Sequence, residues 1–233
     1  MKIKIVAEAS TTMQRLFVGW GVSFLVGDDL LFDTFSSEKI LASNFKKLTE
    51  DVKKLKYVVL SHEHWDHIGG LRYVLKNNPD VKVFICPNFS QNLKEKIKKY
   101  DVEVIEMKNF AEIKRGIFTT GEIMGEYNAK PMPEQSLIIR NNKISIITGC
   151  SHPGIIAIIK KVKQVFSEPV GLVLGGFHLH DKLEFEVQQI AREFRDLGVE
   201  KIAPCHCTGA LAKEVFRKEY GGNFVEIKTG VIL

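Results

Sequence analysis

The chain reads Ser61-His62-Glu63-His64-Trp65-Asp66-His67-Ile68-Gly69-Gly70-Leu71 directly after the apolar segment Tyr57-Val58-Val59-Leu60. The apolar segment is β-branched and aromatic, which is typical of a buried strand. Apolar residues from Leu71 onward recur at helical spacing, and the glycine pair before them allows a close approach of two backbones. The stretch therefore predicts a strand, a loop rich in histidine and then a helix.

The spacing of the polar residues in this loop suits metal ions. Residues two apart in an extended loop point the same way, so His62 and His64 can bind one ion together. Asp66 and His67 lie at the start of the following helix, about one turn further on, and we expect them to face a second ion. The loop alone therefore predicts ligands for a dinuclear site.

The seven histidines of the chain all lie in four short segments, and each segment follows an apolar, strand-like run. The histidines are His62, His64, His67, His152, His178, His180 and His206. In open α/β sheets, ligands bind at the carboxyl ends of the strands. We therefore expect the four segments to converge on one crevice and to assemble a metal site there.

Hydrophobic periodicity along the chain alternates between strand and helix patterns. Strands are predicted over 2–7, 16–20, 22–26, 30–32, 57–60, 81–85, several short segments of 102–147, 170–174, 202–203 and 224–228. Helices are predicted from Ser37, from about Leu71, over 90–99, from Pro153, over 182–197 and over 210–220. This order indicates an α/β protein with two sheets faced by helices, a four-layer arrangement in a single domain over 1–233.

Composition narrows the class of protein. No apolar run approaches the length that spans a bilayer, and charged residues interrupt the first apolar segment, so we expect neither membrane insertion nor secretion. Four scattered cysteines favour a reducing, cytoplasmic location over a disulfide framework. The net charge of +5 weakly favours anionic partners, but it is spread over helix-like faces, so we do not expect nucleic acid as a partner. Nothing in the sequence indicates the oligomeric state.

Residues 61–71 resemble the signature loop of the metallo-β-lactamase superfamily. That resemblance implies an αββα sandwich with one active site at the edge of two sheets. Residues 31–34 are similar to the early strand of this superfamily, which ends in a buried aspartate, here Asp33. Residues 203–209 resemble the loop that carries its last metal ligand, here His206. Residues 146–155, 175–179 and 206–209 are similar to a subgroup related to dihydropterin-ribofuranosylaminobenzene phosphate synthase.

The chain departs from the superfamily pattern at three places. Cys150 follows Gly149 where most members have the aspartate that bridges both metals, and a thiolate can bridge two ions while a buried thiol can also be inert. The usual third histidine has no counterpart, and either His152 or Glu134 replaces it, with His152 favoured because it belongs to the strand-end set. Phe35 stands where a glycine is usual, which affects only a local turn.

These residues suggest a division of roles. His62, His64 and a third ligand form the first site, and Asp66, His67 and His206 form the second. The ions are expected to be two divalent cations, Zn²⁺ first, with iron or manganese as alternatives. Ions held this way bring the pKa of water toward neutrality and favour attack of hydroxide on phosphorus or a carbonyl carbon.

Four further residues are assigned by their position. Asp66 is expected to orient the nucleophile, which makes it catalytic as well as a ligand. His178 is the second catalytic candidate, either donating a proton to a leaving group or binding an anionic group, and its alternative is a capping or core histidine. Cys205 and Cys207 flank His206 in what reads as an extended loop, so we expect their side chains to point away from that ligand and to pack or face solvent; metal ligation by one of them is the alternative.

The resulting hypothesis is a dinuclear metal-dependent hydrolase of a small anionic ester, either a phosphoester or a pterin-related phosphate. A non-haem diiron redox protein with Cys150 as ligand is an alternative, against which His64 argues, since flavodiiron relatives usually carry glutamate there. A nuclease or phosphodiesterase of the same fold is another. A binding module that keeps a metal only for structure is the fourth.

Overall fold

The computed structural model describes residues 1–9 and 19–233. The chain divides into two units, each with its own six-stranded mixed sheet and hydrophobic core. The N-terminal unit comprises Met1–Lys108 and Lys228–Leu233, and the C-terminal unit comprises Asn109–Ile227.

The sheet of the N-terminal unit has the strand order β1-β2-β3-β4-β5-β6. Its strands are β1 (Ile3–Ala9), β2 (Gly21–Val26), β3 (Leu30–Phe32), β4 (Tyr57–Val59), β5 (Lys82–Ile85) and β6 (Val104–Glu106). The pairs β1–β2 and β2–β3 are antiparallel, and β3 to β6 are parallel. All residues of β2 and β3 are buried, which accounts for their continuous apolar sequence.

Among the described residues of this unit, four helices accompany the sheet: α1 (Glu38–Lys47), α2 (Trp65–Ile68), α3 (Leu71–Asn77) and α4 (Gln91–Lys98). Ser37 begins α1 by accepting a hydrogen bond from the backbone N–H of Ile40, and Ser90 begins α4 by accepting one from that of Leu93. Capping of this kind satisfies N–H groups that have no partner within the helix. Both helices therefore begin where the sequence predicts.

The sheet of the C-terminal unit has the strand order β14-β13-β12-β11-β8-β7, and β12, β13 and β14 are parallel. Its strands are β7 (Ala111–Lys114), β8 (Ile117–Thr119), β11 (Leu137–Arg140), β12 (Ile144–Thr148), β13 (Val170–Gly176) and β14 (Lys201–Cys205). A separate hairpin pairs β9 (Ile123–Tyr127) with β10 (Lys130–Glu134). Its two turn residues, Asn128 and Ala129, both have positive φ, as the twist of a tight hairpin requires.

Three helices complete the C-terminal unit: α5 (Ile155–Val165), α6 (Glu184–Asp196) and α7 (Ala210–Tyr220). Their buried faces pack in one core, where Phe177, Phe194 and Phe216 contact one another with ring centroids 5.3 to 5.7 Å apart. Burying such rings is a main source of core stability. No described helix, in 1–9 or 19–233, has the length and apolar composition needed to cross a membrane.

One predicted helix boundary and one predicted strand are wrong. Helix α5 begins at Ile155 rather than Pro153, because Gly154 has φ +90°, outside the helical region. The segment 224–228 is not a strand: Phe224 makes a single bridge to Ile202. Instead, Arg217 of α7 stacks on the Phe224 ring and pairs with Glu226 at 2.6 Å. The predicted strand 16–20 falls largely outside the described residues.

The candidate residues follow the ends of parallel strands in both units. The stretch from Ser61 to His67 comes after β4, and Cys150 and His152 come after β12. His178 follows β13 and His206 follows β14. Each sheet therefore presents its histidines at the edge where α/β folds bind ligands.

Candidate metal centre

The histidine loop, defined as residues 61–67, includes the first three residues of helix α2. His62, Asp66 and His67 are buried, and His64 is half-buried. The glycines after the loop are required by close packing, since a Cβ on Gly69 would lie 2.2 Å from the backbone oxygen of Ser36. The loop is therefore fixed against the chain that follows β3.

His62 and His64 direct ring nitrogens at each other. Nε2 of His62 lies 3.1 Å from Nδ1 of His64, and Nδ1 of His62 lies 2.8 Å from the hydroxyl of Ser61. Two imidazole nitrogens at this separation share either a proton or a cation. Tetrahedral zinc with Zn–N near 2.0–2.1 Å places its nitrogens about 3.3 Å apart, close to the observed spacing. The pair therefore fits a single ion, as the sequence spacing predicts.

Asp33 orients the loop from the end of β3. It has φ +55°, and its carboxylate accepts hydrogen bonds from the N–H of Ser61 at 2.7 Å, from the Ser61 hydroxyl at 2.7 Å and from Nδ1 of His67 at 2.6 Å. Burial raises the pKa of Asp33, and the charge and hydrogen bond of His67 offset this only in part. The carboxylate thereby fixes the tautomer and orientation of the imidazole.

The other nitrogen of His67 faces a second carboxylate. Nε2 of His67 lies 3.5 Å from Oδ2 of Asp66. Burial lowers the pKa of His67, but the charges of Asp66 and Asp33 outweigh it and hold that pKa well above its ordinary value. A buried site that favours positive charge so strongly is suited to a cation, and its imidazole and carboxylate donors match the ligands of zinc, iron or manganese.

Glu134 organises the turn 150–152, which follows strand β12 in the C-terminal unit. Oε1 of this buried carboxylate accepts hydrogen bonds from the backbone N–H groups of Cys150 and Ser151, at 3.0 and 2.8 Å. Oε2 accepts from the N–H and from Nδ1 of His152, both at 2.8 Å. Burial raises the pKa of Glu134, but these hydrogen bonds and the His152 charge lower it to about 2. No local pattern in the sequence indicates that one carboxylate holds the whole turn 150–152.

His178 lies next to His152. The two ring centroids are 4.7 Å apart, and ligand atoms of Cys150, His152 and His178 lie within 4.8 Å of one another. Tyr127 of β9 contacts both rings edge-on, at 5.5 and 5.7 Å. Burial lowers the pKa of His178, but a hydrogen bond to the Cys207 thiol and nearby negative charges raise it overall. His180, in contrast, is exposed.

His206 begins a short 3₁₀ turn, His206–Thr208, and its φ is +50°. Ligand atoms of Cys150, His206 and Cys207 lie within 4.8 Å of one another, and all three residues are buried. The expectation that Cys207 points away from His206 is therefore wrong. Neighbouring side chains in a 3₁₀ turn are about 120° apart, whereas an extended strand would place them on opposite faces.

Comparisons with known proteins agree with this chemistry. The model of the metallo-β-lactamase superfamily matches residues 21–125, which include the histidine loop. A protein of Methanocaldococcus jannaschii, 7,8-dihydropterin-6-methyl-4-(β-D-ribofuranosyl)-aminobenzene-5'-phosphate synthase, is 30% identical over 91% of this chain and 89% of its own length.

Two crystal structures share the fold over the whole chain. Tm1679, described as a metal-dependent hydrolase of the β-lactamase superfamily, aligns with a TM-score of 0.80 at 29% identity, covering 100% of this chain and 98% of that one. The metallo-β-lactamase fold protein YhfI from Bacillus subtilis aligns with a TM-score of 0.69 at 16% identity, over 100% and 98% of the two chains, which bears on the fold alone. The predicted fold is thus confirmed, and the chain belongs to the metallo-β-lactamase superfamily.

Proposed function

We propose that this protein is a dinuclear metal-dependent hydrolase of a small anionic ester. The observation that carries the proposal is the pairing of donor atoms in the histidine loop, where His62 meets His64 at 3.1 Å and His67 lies between Asp33 and Asp66. Two donor pairs side by side suit two divalent ions, and zinc is the first candidate.

The ligands that we propose are those that the sequence favours. His62, His64 and His152 would hold the first ion, Asp66, His67 and His206 would hold the second, and the Cys150 thiolate would bridge the two. His152 is preferred to Glu134 because both oxygens of Glu134 accept hydrogen bonds from the turn 150–152. Since Nδ1 of His152 bonds to Glu134, its Nε2 is the atom that we assign to the metal.

Bound divalent ions of this kind bring the pKa of water toward neutrality and polarise ester oxygens. In the proposed reaction Asp66 accepts a hydrogen bond from the attacking water and orients it. His178, whose pKa is raised above that of a free imidazole, is the proposed proton donor to the departing alcohol oxygen. The water would lose one proton to solvent as its oxygen bonds to phosphorus or carbonyl carbon, the ester bond would break, and His178 would regain its proton from solvent.

For the substrate we propose a phosphate ester related to pterin or ribofuranosyl-aminobenzene compounds. Support comes from the relative whose name includes a ribofuranosyl-aminobenzene 5'-phosphate and from the hydrolase description of Tm1679. The imidazole of His178, with Tyr127 beside it, offers a hydrogen-bond donor and an aromatic edge suited to an anionic group on a ring system.

The test combines metal analysis with a substrate panel. Metal-replete wild-type protein is expected to bind two ions per chain and to hydrolyse at least one member of a panel of phosphoesters, lactones and thioesters. His62→Ala should lower both metal content and activity, while His180→Ala, the matched change at the exposed histidine, should leave both unaltered. An inactive wild type, together with unchanged metal content in His62→Ala, would contradict the proposal.

A further inference from the structure

Cys207 lies in a cluster of possible metal ligands with Cys150 and His206. The proposed function assigns a role to Cys150 and His206 but none to Cys207. Its sulfur, the sulfur of Cys150 and a ring nitrogen of His206 are mutually within 4.8 Å, and the three side chains are buried. We propose that Cys207 is itself a metal ligand, so that the ion bound by His206 has two thiolates, from Cys150 and Cys207. This inference rests on the proposed function, since it concerns the same metal centre.

Hydrogen bonds of Thr208 fix the backbone around Cys207 in the conformation that brings its sulfur close to Cys150 and His206. The Thr208 hydroxyl donates to the carbonyl of Cys205 at 2.7 Å and accepts from the N–H of Phe177 at 3.1 Å. These two bonds close the turn that begins at His206 and attach it to the end of β13. The sulfur of Cys207 therefore has a defined position within the C-terminal unit.

The sulfur of Cys207 has space because residue 176 is a glycine and carries no side chain. A Cβ on Gly176 would lie 2.6 Å from Sγ of Cys207 and 2.5 Å from the backbone oxygen of Gly149. Real Cβ atoms do not approach other atoms so closely, so only glycine leaves room for the sulfur at this place. The Cys207 thiol also lies 3.7 Å from the carbonyl oxygen of Cys150, which orients it toward the turn 150–152.

The donor types indicate which ions would be bound. Two thiolates and an imidazole are soft donors that favour zinc or ferrous iron over magnesium, calcium or manganese. Tetrahedral zinc with Zn–S near 2.3 Å holds two sulfurs about 3.8 Å apart, so the observed limit of 4.8 Å requires only small side-chain adjustments. We therefore expect the centre to discriminate strongly between thiophilic and oxygen-preferring ions.

Cobalt substitution tests the inference directly in the full chain, because thiolate-to-cobalt charge transfer gives an absorption band that does not require activity. The band is expected in the wild type, weaker in Cys207→Ser by the one cobalt–sulfur bond that is removed, weaker still in Cys150→Ser because Cys150 bridges both ions, and absent in the double variant. Cys205→Ser is the matched control, since Cys205 is also buried and lies two residues from Cys207. Its band should equal that of the wild type.

A second measurement, made on the wild type, tests the inference even if the variants fold poorly. X-ray absorption of the wild type loaded with two zinc ions should show an average of about 1.5 sulfur ligands per zinc, since Cys150 bridges both ions and Cys207 binds one, whereas an average of one or fewer would overturn the inference. Zinc affinity of Cys207→Ser should fall at least about tenfold, with manganese affinity little changed. A wild type that binds zinc and hydrolyses esters, while Cys207→Ser keeps the full cobalt band, refutes only the role of Cys207. A wild type that binds no metal refutes the proposed function itself.

Discussion

Oε2 of Glu134 lies 2.8 Å from Nδ1 of His152, and the same carboxylate accepts three backbone N–H groups of residues 150–152. One buried side chain thus sets both the path of the turn and the tautomer of the imidazole. Because Nδ1 holds the proton toward Glu134, Nε2 is the nitrogen with a lone pair to offer. Glu134 is therefore a positioning residue, and its effect on a metal passes through His152.

We expect Glu134→Gln to lower the affinity of the centre for zinc by about 10- to 100-fold, since the amide cannot accept all four hydrogen bonds or polarise the imidazole. Competition with a chromophoric chelator measures the affinity. Glu126→Gln is the control, because Glu126 is exposed on strand β9, which pairs with the strand of Glu134 in the same hairpin. Equal affinities for the two variants would contradict the positioning role.

The same carboxylate predicts a dependence of stability on pH in metal-free protein. The pKa of Glu134 in the folded state is about 2, below its ordinary 4.5. Its contribution, roughly 3 kcal/mol, is thus fully present above pH 4.5 and is lost as the pH falls toward 2. The free energy of unfolding of the wild type should exceed that of Glu134→Gln at neutral pH, and denaturant titrations should show this difference shrinking with acidification. A difference independent of pH would argue against it.

Asp33→Asn is expected to weaken both folding and metal binding. The asparagine cannot accept all three hydrogen bonds from Ser61 and His67, and it removes one of the two charge partners of the buried imidazole. We expect a loss of about 3 kcal/mol in the free energy of unfolding of metal-free protein, and lower metal content after dialysis. Asp28→Asn changes an exposed carboxylate in the turn before β3 and should have neither effect.

Gly176→Ala should disturb the cluster of Cys150, His206 and Cys207 because the added methyl group needs space. The new Cβ would clash with the backbone oxygen of Gly149 and with the sulfur of Cys207. A decrease of about 1–3 kcal/mol in the free energy of unfolding is expected, with altered cobalt absorption. Gly222→Ala is the control, because no atom lies within 4 Å of a Cβ at that position. Matching stabilities for the two variants would show that the site tolerates the methyl group.

Local patterns were sufficient for much of the fold. Helix α7 has the predicted bounds, Ala210–Tyr220, and α1 follows its serine cap, because capping and periodicity act over a few residues. The facing nitrogens of His62 and His64 likewise follow from their spacing of two. These features depend on neighbours in the chain, which a sequence displays directly.

Other parts of the site depend on distant partners. Glu134 holds the turn 150–152 from a separate hairpin, and no local pattern marks a contact of that range. The position of Cys207 depends on the left-handed φ of His206, a conformation that residues other than glycine seldom adopt. The sequence predicts an extended loop because that backbone geometry is the common one. His206 instead adopts the rare left-handed conformation.

Residues Lys228–Leu233 belong to the N-terminal unit although they come last in the chain. Ile3 and Leu233 exchange backbone hydrogen bonds of 3.0 and 2.9 Å, and Lys4 bridges Ile232 beside β1. During translation, the ribosome releases Asn109–Ile227 before this closing segment. The half of the protein that carries the histidine loop therefore gains its final strand contacts only after the other half has been synthesised.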